Sequence, residues 1–117
     1  YATFTGTSSG DSFGNVSAGN LDIDGDGSSD LLVGAPNVRS AGTDAGMVYV
    51  FTAPGTGSYR AADATLAIPG EDPGDLLGTS LLAVPDQDGD QQDELLVGAP
   101  SWRNQGRVYM VYGGNLL

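Results

Sequence analysis

The sequence contains no cysteine, no histidine and no lysine. Without cysteine there is no disulfide, no thiolate zinc site and no sulfur nucleophile, and the redox compartment leaves no trace in the sequence. Without histidine there is no imidazole base, so Ser/His/Asp and Cys/His catalytic sets are closed. The four basic residues are all arginine, against fifteen acids. Phosphate contacts need clustered positive charge, so nucleic acid is not expected as a partner. No apolar run approaches the ~18 residues that a membrane helix needs. No window holds a sustained 3.6-residue apolar period, so helices are expected to be scarce. No signal peptide is read at the start of the chain, and a start at Tyr1 rather than Met reads as a mature or excised segment.

What is abundant is acid and glycine. Fifteen Asp and Glu against four Arg give a net charge of −11 over 117 residues. A compact chain with that charge repels itself unless cations neutralise part of it. Nineteen glycines and six prolines point to short strands joined by tight turns.

The sequence also repeats itself at a shift of 64 residues. "DIDGDGSSDLLVGAP" at 22–36 returns as "DQDGDQQDELLVGAP" at 86–100, with ten of fifteen positions identical. Gly10-Asp11-Ser12-Phe13-Gly14 falls on Gly74-Asp75-Leu76-Leu77-Gly78, and Gly46-Met47-Val48-Tyr49-Val50 on Gly106-Arg107-Val108-Tyr109-Met110. An internal repeat of this length marks an array or a propeller.

Each unit reads as four short strands. The first spans 15–21 and 79–84, the second 31–35 and 95–99, the third 47–52 and 107–112, and the fourth 65–68. The second strand is apolar on both sides of the pleat, as in a sheet covered on both faces. The expected fold is all-β: two four-stranded antiparallel propeller blades whose strands are out of phase with the chain ends. Residues 1–5 form an isolated strand four, residues 10–69 the first blade, and residues 74–117 strands one to three of the second. Propellers hide their sheet edges by letting an N-terminal strand complete the last blade. Two blades cannot close on themselves. Tyr1–Thr5 is therefore expected to pair with 107–112 of a neighbouring copy, in a ring of three or four chains, unless the two blades are part of a longer propeller.

The acidic loops carry the chemistry. Ca²⁺ takes six to eight hard oxygens, and an Asp-x-Asp-x-Asp turn aims short carboxylates at one centre. Asp22, Asp24 and Asp26 occupy positions 1, 3 and 5, Ser28 offers its backbone carbonyl at 7, and Asp30 closes the shell at 9. The second loop repeats this with Asp86, Asp88 and Asp90, Gln92 through its carbonyl, and Glu94, with Asp93 beside it as a substitute. Two bound Ca²⁺ would bring the charge from −11 to −7. Mg²⁺ rarely uses an all-protein cage, and zinc prefers His and Cys. Gln91 replaces Gly27 at position 6, where a left-handed backbone costs a non-glycine residue about 1 kcal/mol, so the second site is expected to be the weaker.

Phe13-Gly14, then Asp22-x-Asp24-x-Asp26-Gly27-x-x-Asp30, then Val33-Gly34-Ala35-Pro36 resembles the FG-GAP repeat, the blade unit of integrin α-subunit propellers and related bacterial proteins. The resemblance covers nearly the whole chain twice, with Leu77-Gly78 in place of Phe-Gly in the second copy. It implies Ca²⁺ in the hairpin between strands one and two of each blade, held by the same ten residues. It also implies an extracellular or cell-surface setting and a role in adhesion or protein–protein contact.

The reading is thus a calcium-binding structural and protein-interaction module, not an enzyme, whose partner is itself, the rest of a propeller, or an extracellular protein or glycan. The alternative is a carbohydrate or small-ligand binding module, in which Trp102, with Tyr59, Tyr109 and Tyr112, would stack on sugars. Trp102 aligns with Val38 in the loop after Gly-Ala-Pro, so it is not a repeat-wide packing residue and is the best contact candidate.

Overall fold

A computed structural model describes residues 1–116. Nine strands follow one another: β1 Ala2–Thr5, β2 Val16–Leu21, β3 Asp30–Ala35, β4 Met47–Phe51, β5 Gly57–Arg60, β6 Leu66–Pro69, β7 Ser80–Val84, β8 Glu94–Ala99 and β9 Arg107–Tyr112. Three short 3₁₀ turns are the only helical pieces among the described residues. The chain is all-β, and its two larger sheets are antiparallel, ordered β2-β3-β4-β6 and β7-β8-β9.

The second strand of each sheet is central because its sequence can be buried on both faces. Leu32, Val33 and Ala35 of β3 and Leu95, Val97 and Ala99 of β8 are buried. Leu21, Ile23, Leu32, Val48 and Val50 of the first blade meet Leu77, Leu95, Val97 and Ala99 of the second in one core. Fully burying such a side chain stabilises by about 1.5–3 kcal/mol, so this shared core holds the two sheets together.

A second core lies on the opposite face of the first blade, where Val33, Ala35, Tyr49 and Phe51 pack with Phe4 and Phe13. Its cover includes a strand absent from the four-strand pattern. β5 pairs in parallel with β1, with Phe4 opposite Tyr59. The Phe4 and Tyr59 rings stack with centroids 4.9 Å apart and planes 9° apart, and Phe51 meets Phe4 edge-on. Tyr59, a sugar-stacking candidate, is therefore used inside the fold. One edge of β1 is taken by β5 of the same chain, and among the described residues β9 is an edge strand with β8 on one side.

The motif glycines sit where the backbones of the two blades touch. A Cβ on Gly34 would collide with the backbone oxygen of Gly78, and a Cβ on Gly78 (φ +90°) would come within 2.7 Å of the Met47 carbonyl. Within each blade, the Gly14 and Gly78 amides donate to the Gly34 and Gly98 carbonyls at 3.1 Å. The Phe-Gly and Gly-Ala-Pro elements are thus paired within a repeat and wedged together between repeats. Asp75, recurring with Asp11, is buried and accepts from the Asp72 amide at 2.9 Å, consistent with a turn-forming role.

Candidate metal centre

Both acidic loops join the first two strands of their sheets, β2 to β3 and β7 to β8. In the first, Asn20 sits at a register shift with φ +60°, and this bulge delivers the chain from β2 into the loop. There the Asp22 carboxylate gathers amides. Oδ1 accepts from Gly25 at 2.7 Å and Asp26 at 3.0 Å, and Oδ2 accepts from Gly27 at 2.8 Å. Asp24 accepts from the Asp26 amide at 3.2 Å and Asp26 from Ser28 at 2.7 Å. These side-chain-to-backbone bonds are the local alternative to a ladder that aspartate offers.

The second loop repeats the pattern. Asp86 accepts from Gly89 at 2.6 Å and Gln91 at 2.9 Å, Asp88 from Asp90 at 3.2 Å and Asp90 from Gln92 at 2.9 Å. Position 6 is left-handed in both loops, with φ +82° at Gly27 and +68° at Gln91. Gln91 therefore pays the strain that its sequence position suggests. The left-handed turn is part of the folded loop, however, so its cost falls on folding rather than on cation binding.

The ninth positions differ. Asp30 and Glu94 are both buried. Each accepts from the amide seven residues earlier, Asp30 from Ile23 at 2.8 Å and Glu94 from Gln87 at 2.5 Å. The other Asp30 oxygen is taken by the Ala53 amide at 2.8 Å. Glu94, one methylene longer, keeps Oε1 buried with no hydrogen-bond partner among the described residues. Among the described residues, Asp86, Asp88, Asp90 and Glu94 bring oxygens within 4.8 Å of one another, and in the first loop Asp22, Asp24 and Asp26 do so. Asp30 stands outside that group, and its two oxygens hold the backbone amides of Ile23 and Ala53. Ser28 and Gln92 are placed by their amides on the position-5 carboxylates.

The local fields follow from these contacts. Burial, then the charges of Asp88, Asp86 and Asp90, push the Glu94 carboxyl above its ordinary pKa against the opposing pull of the Gln87 amide. The amides of Gln91 and Gly89 hold Asp86 below its ordinary pKa. Four carboxylates with oxygens within 4.8 Å of one another, one of them the buried Glu94, are a hard-cation donor set.

Asp93 does not substitute for Glu94. Its two oxygens accept from the amides of Asp22 at 2.8 Å and Asp86 at 3.2 Å, an arrangement that sequence reading missed because it joins two loops 64 residues apart in the repeat. Trp102 lies in a 3₁₀ turn under the Arg107 guanidinium, which is 3.3 Å from the ring centroid, with Arg103 at 4.7 Å. Its Nε1 donates to Glu71 at 3.4 Å, and Arg107 pairs with the same carboxylate at 3.5 Å. Trp102 thus ties the second sheet to the segment between the blades. Arg103, which recurs with Arg39, pairs with Asp72 at 3.8 Å on the surface.

The FG-GAP repeat family matches residues 13–51, from Phe13 of the Phe-Gly pair through the last residue of β4. Integrin alpha-X of Homo sapiens is 36% identical over 114 residues, 96% of this chain and 10% of that protein. Integrin alpha-X of Mus musculus is 36% identical over 112 residues, 94% and 9%. Integrin alpha-D of Homo sapiens is 34% identical over 116 residues, 97% and 10%. The chain spans about a tenth of the length of these curated relatives. Residues 13–51 are an FG-GAP repeat, and over nearly its whole length the chain is similar to a segment of integrin alpha chains.

Proposed function

We propose that this chain is a calcium-binding structural and protein-interaction module, extracellular or at the cell surface, made of two FG-GAP propeller blades. The buried, unpartnered Oε1 of Glu94 carries the calcium reading. An unpaired carboxylate oxygen out of reach of water is costly, and it stands beside three more carboxylates. A divalent cation supplies the missing partner and offsets their mutual repulsion. Asp86, Asp88, Asp90 and Glu94 would hold the ion in the second loop, with Gln92 through its carbonyl. Asp22, Asp24 and Asp26, with Ser28 and Asp30, would hold the other. With four carboxylates already assembled in the second loop against three in the first, the second is the tighter site, the reverse of the order that Gln91 alone suggests.

Glu94→Gln tests this through its sign. Without calcium the substitution removes a buried unpaired charge, so the melting temperature should rise. With calcium it removes a ligand, so the melting temperature should fall below that of the parent. Equal shifts in the same direction in both conditions would show that Glu94 packs without binding an ion.

The interaction reading rests on an uncovered face. Ala18, Leu32, Val50 and Leu66 of the first sheet face the second sheet across the shared core. Their repeat counterparts Leu82 and Met110 are 59% and 41% exposed, and Val108 beside them is 68% exposed. A third blade set on this face, with a strand added to the open edge of β9, would repeat the contact that joins the first two. A longer propeller could supply it, as could β1 of another copy in a ring of three or four chains. Light scattering on the purified chain should give a mass of three or four chains if copies close the ring, and a stable single-chain mass would exclude the ring. Catalysis has no support. The chain has neither His nor Cys, and the loop carboxylates hold backbone amides.

A further inference from the structure

We propose that the two cation sites form one coupled unit and that Asp93 is the positioning residue that couples them. This rests on the calcium reading above. Asp93 holds the first ligand position of both loops. Its Oδ2 accepts from the Asp22 amide at 2.8 Å and its Oδ1 from the Asp86 amide at 3.2 Å. Its own amide donates to the Asp22 carbonyl at 2.8 Å, so the backbone of Asp22 is gripped on both sides by a residue of the other blade. The adjacent Gln92 side-chain amide, in the orientation that satisfies its neighbours, donates to the Ile23 carbonyl at 2.9 Å.

The residue is not needed by its own loop. At the same position the first loop carries Ser29, which is exposed, and yet forms the same set of aspartate-to-amide turns. Nor does Asp93 belong to the carboxylate group at the second site. The side chain therefore acts across the blade boundary. An ion that orders one loop fixes the Asp93 backbone and with it the first ligand of the other loop, and the coupling is reciprocal between the two sites.

Calcium chloride titration of ¹⁵N-labelled protein reads the two loops separately. The Gly27 amide reports on Asp22 and the Gln91 amide on Asp86, the carboxylates to which they donate. Asp93→Ser copies the first loop and should weaken the affinity read at Gly27 by about tenfold, the loss of a hydrogen bond to a charged acceptor. Asp88→Asn with Asp90→Asn disables the second site while leaving Asp93 in place, and it too should weaken the Gly27 curve. A Gly27 affinity within about twofold of the parent in both proteins overturns the coupling. Should Asp93→Ser not fold, the double variant alone decides. Absence of any saturable shift in the parent would sink the calcium reading and this inference with it.

Discussion

Removing calcium from the chain with EDTA is expected to cost about 5 kcal/mol of unfolding free energy. An ion bound only by the folded loop stabilises by about 2.7 kcal/mol when present at a hundred times its dissociation constant, and two sites together give the sum. For a chain of this size, that corresponds to a fall of about 15–20 °C in melting temperature. Small domains have about 5–15 kcal/mol in total, so the calcium-free chain should be partly unfolded under mild conditions. The structural reason is concentration of charge. Nine of the fifteen acids lie in the two loops, at positions 22, 24, 26, 30, 86, 88, 90, 93 and 94. Backbone amides satisfy many of their oxygens, but an amide carries no net charge and leaves the repulsion in place. Thermal unfolding with calcium, with EDTA, and with magnesium returned after EDTA checks this. Magnesium should restore little of the loss, since it rarely accepts an all-protein cage.

Gly34→Ala is expected to cost about 3 kcal/mol, at the upper end of the penalty for overpacking a tight site. The added methyl would meet the backbone oxygen of Gly78, and two hydrogen-bonded backbones cannot yield as a flexible side chain can. Gly98 holds the same place in the second repeat, but the atom nearest its Cβ is the Ser80 hydroxyl, which can rotate away. Gly98→Ala should therefore cost under about 1 kcal/mol. Urea unfolding of both variants in saturating calcium separates the cases. Equal costs would show that Gly34 is required within its own blade rather than between blades.

That contrast also marks where sequence reading succeeds. The doubling of Asp-x-Asp-x-Asp, Leu-Leu-Val-Gly-Ala-Pro and Val-Tyr carries the strands, the loops and the candidate ligands, because each is a local pattern with its own physical requirement. A pattern repeated 64 residues later excludes accident. What escaped is what depends on the meeting of distant parts. β5 is four residues long and begins with glycine, and it becomes a strand by pairing with the distant β1, with Tyr59 stacked on Phe4. Asp30 satisfies the ligand spacing, yet the Ala53 amide from beyond β4 takes its second oxygen. Asp93 reads as a spare ligand until the first blade's Asp22 amide is found on it. Trp102 stands out as unrepeated, but Arg107 and Glu71 already engage it.

On the proposed function, the two acidic hairpins each hold a calcium ion, and calorimetric titration of the chelator-stripped chain with calcium chloride decides it. Two ions should bind per chain, with the tighter event lost in Glu94→Gln. Titration without saturable heat would rule out bound calcium, and a tighter event that survives unchanged in Glu94→Gln would place that ion away from Glu94.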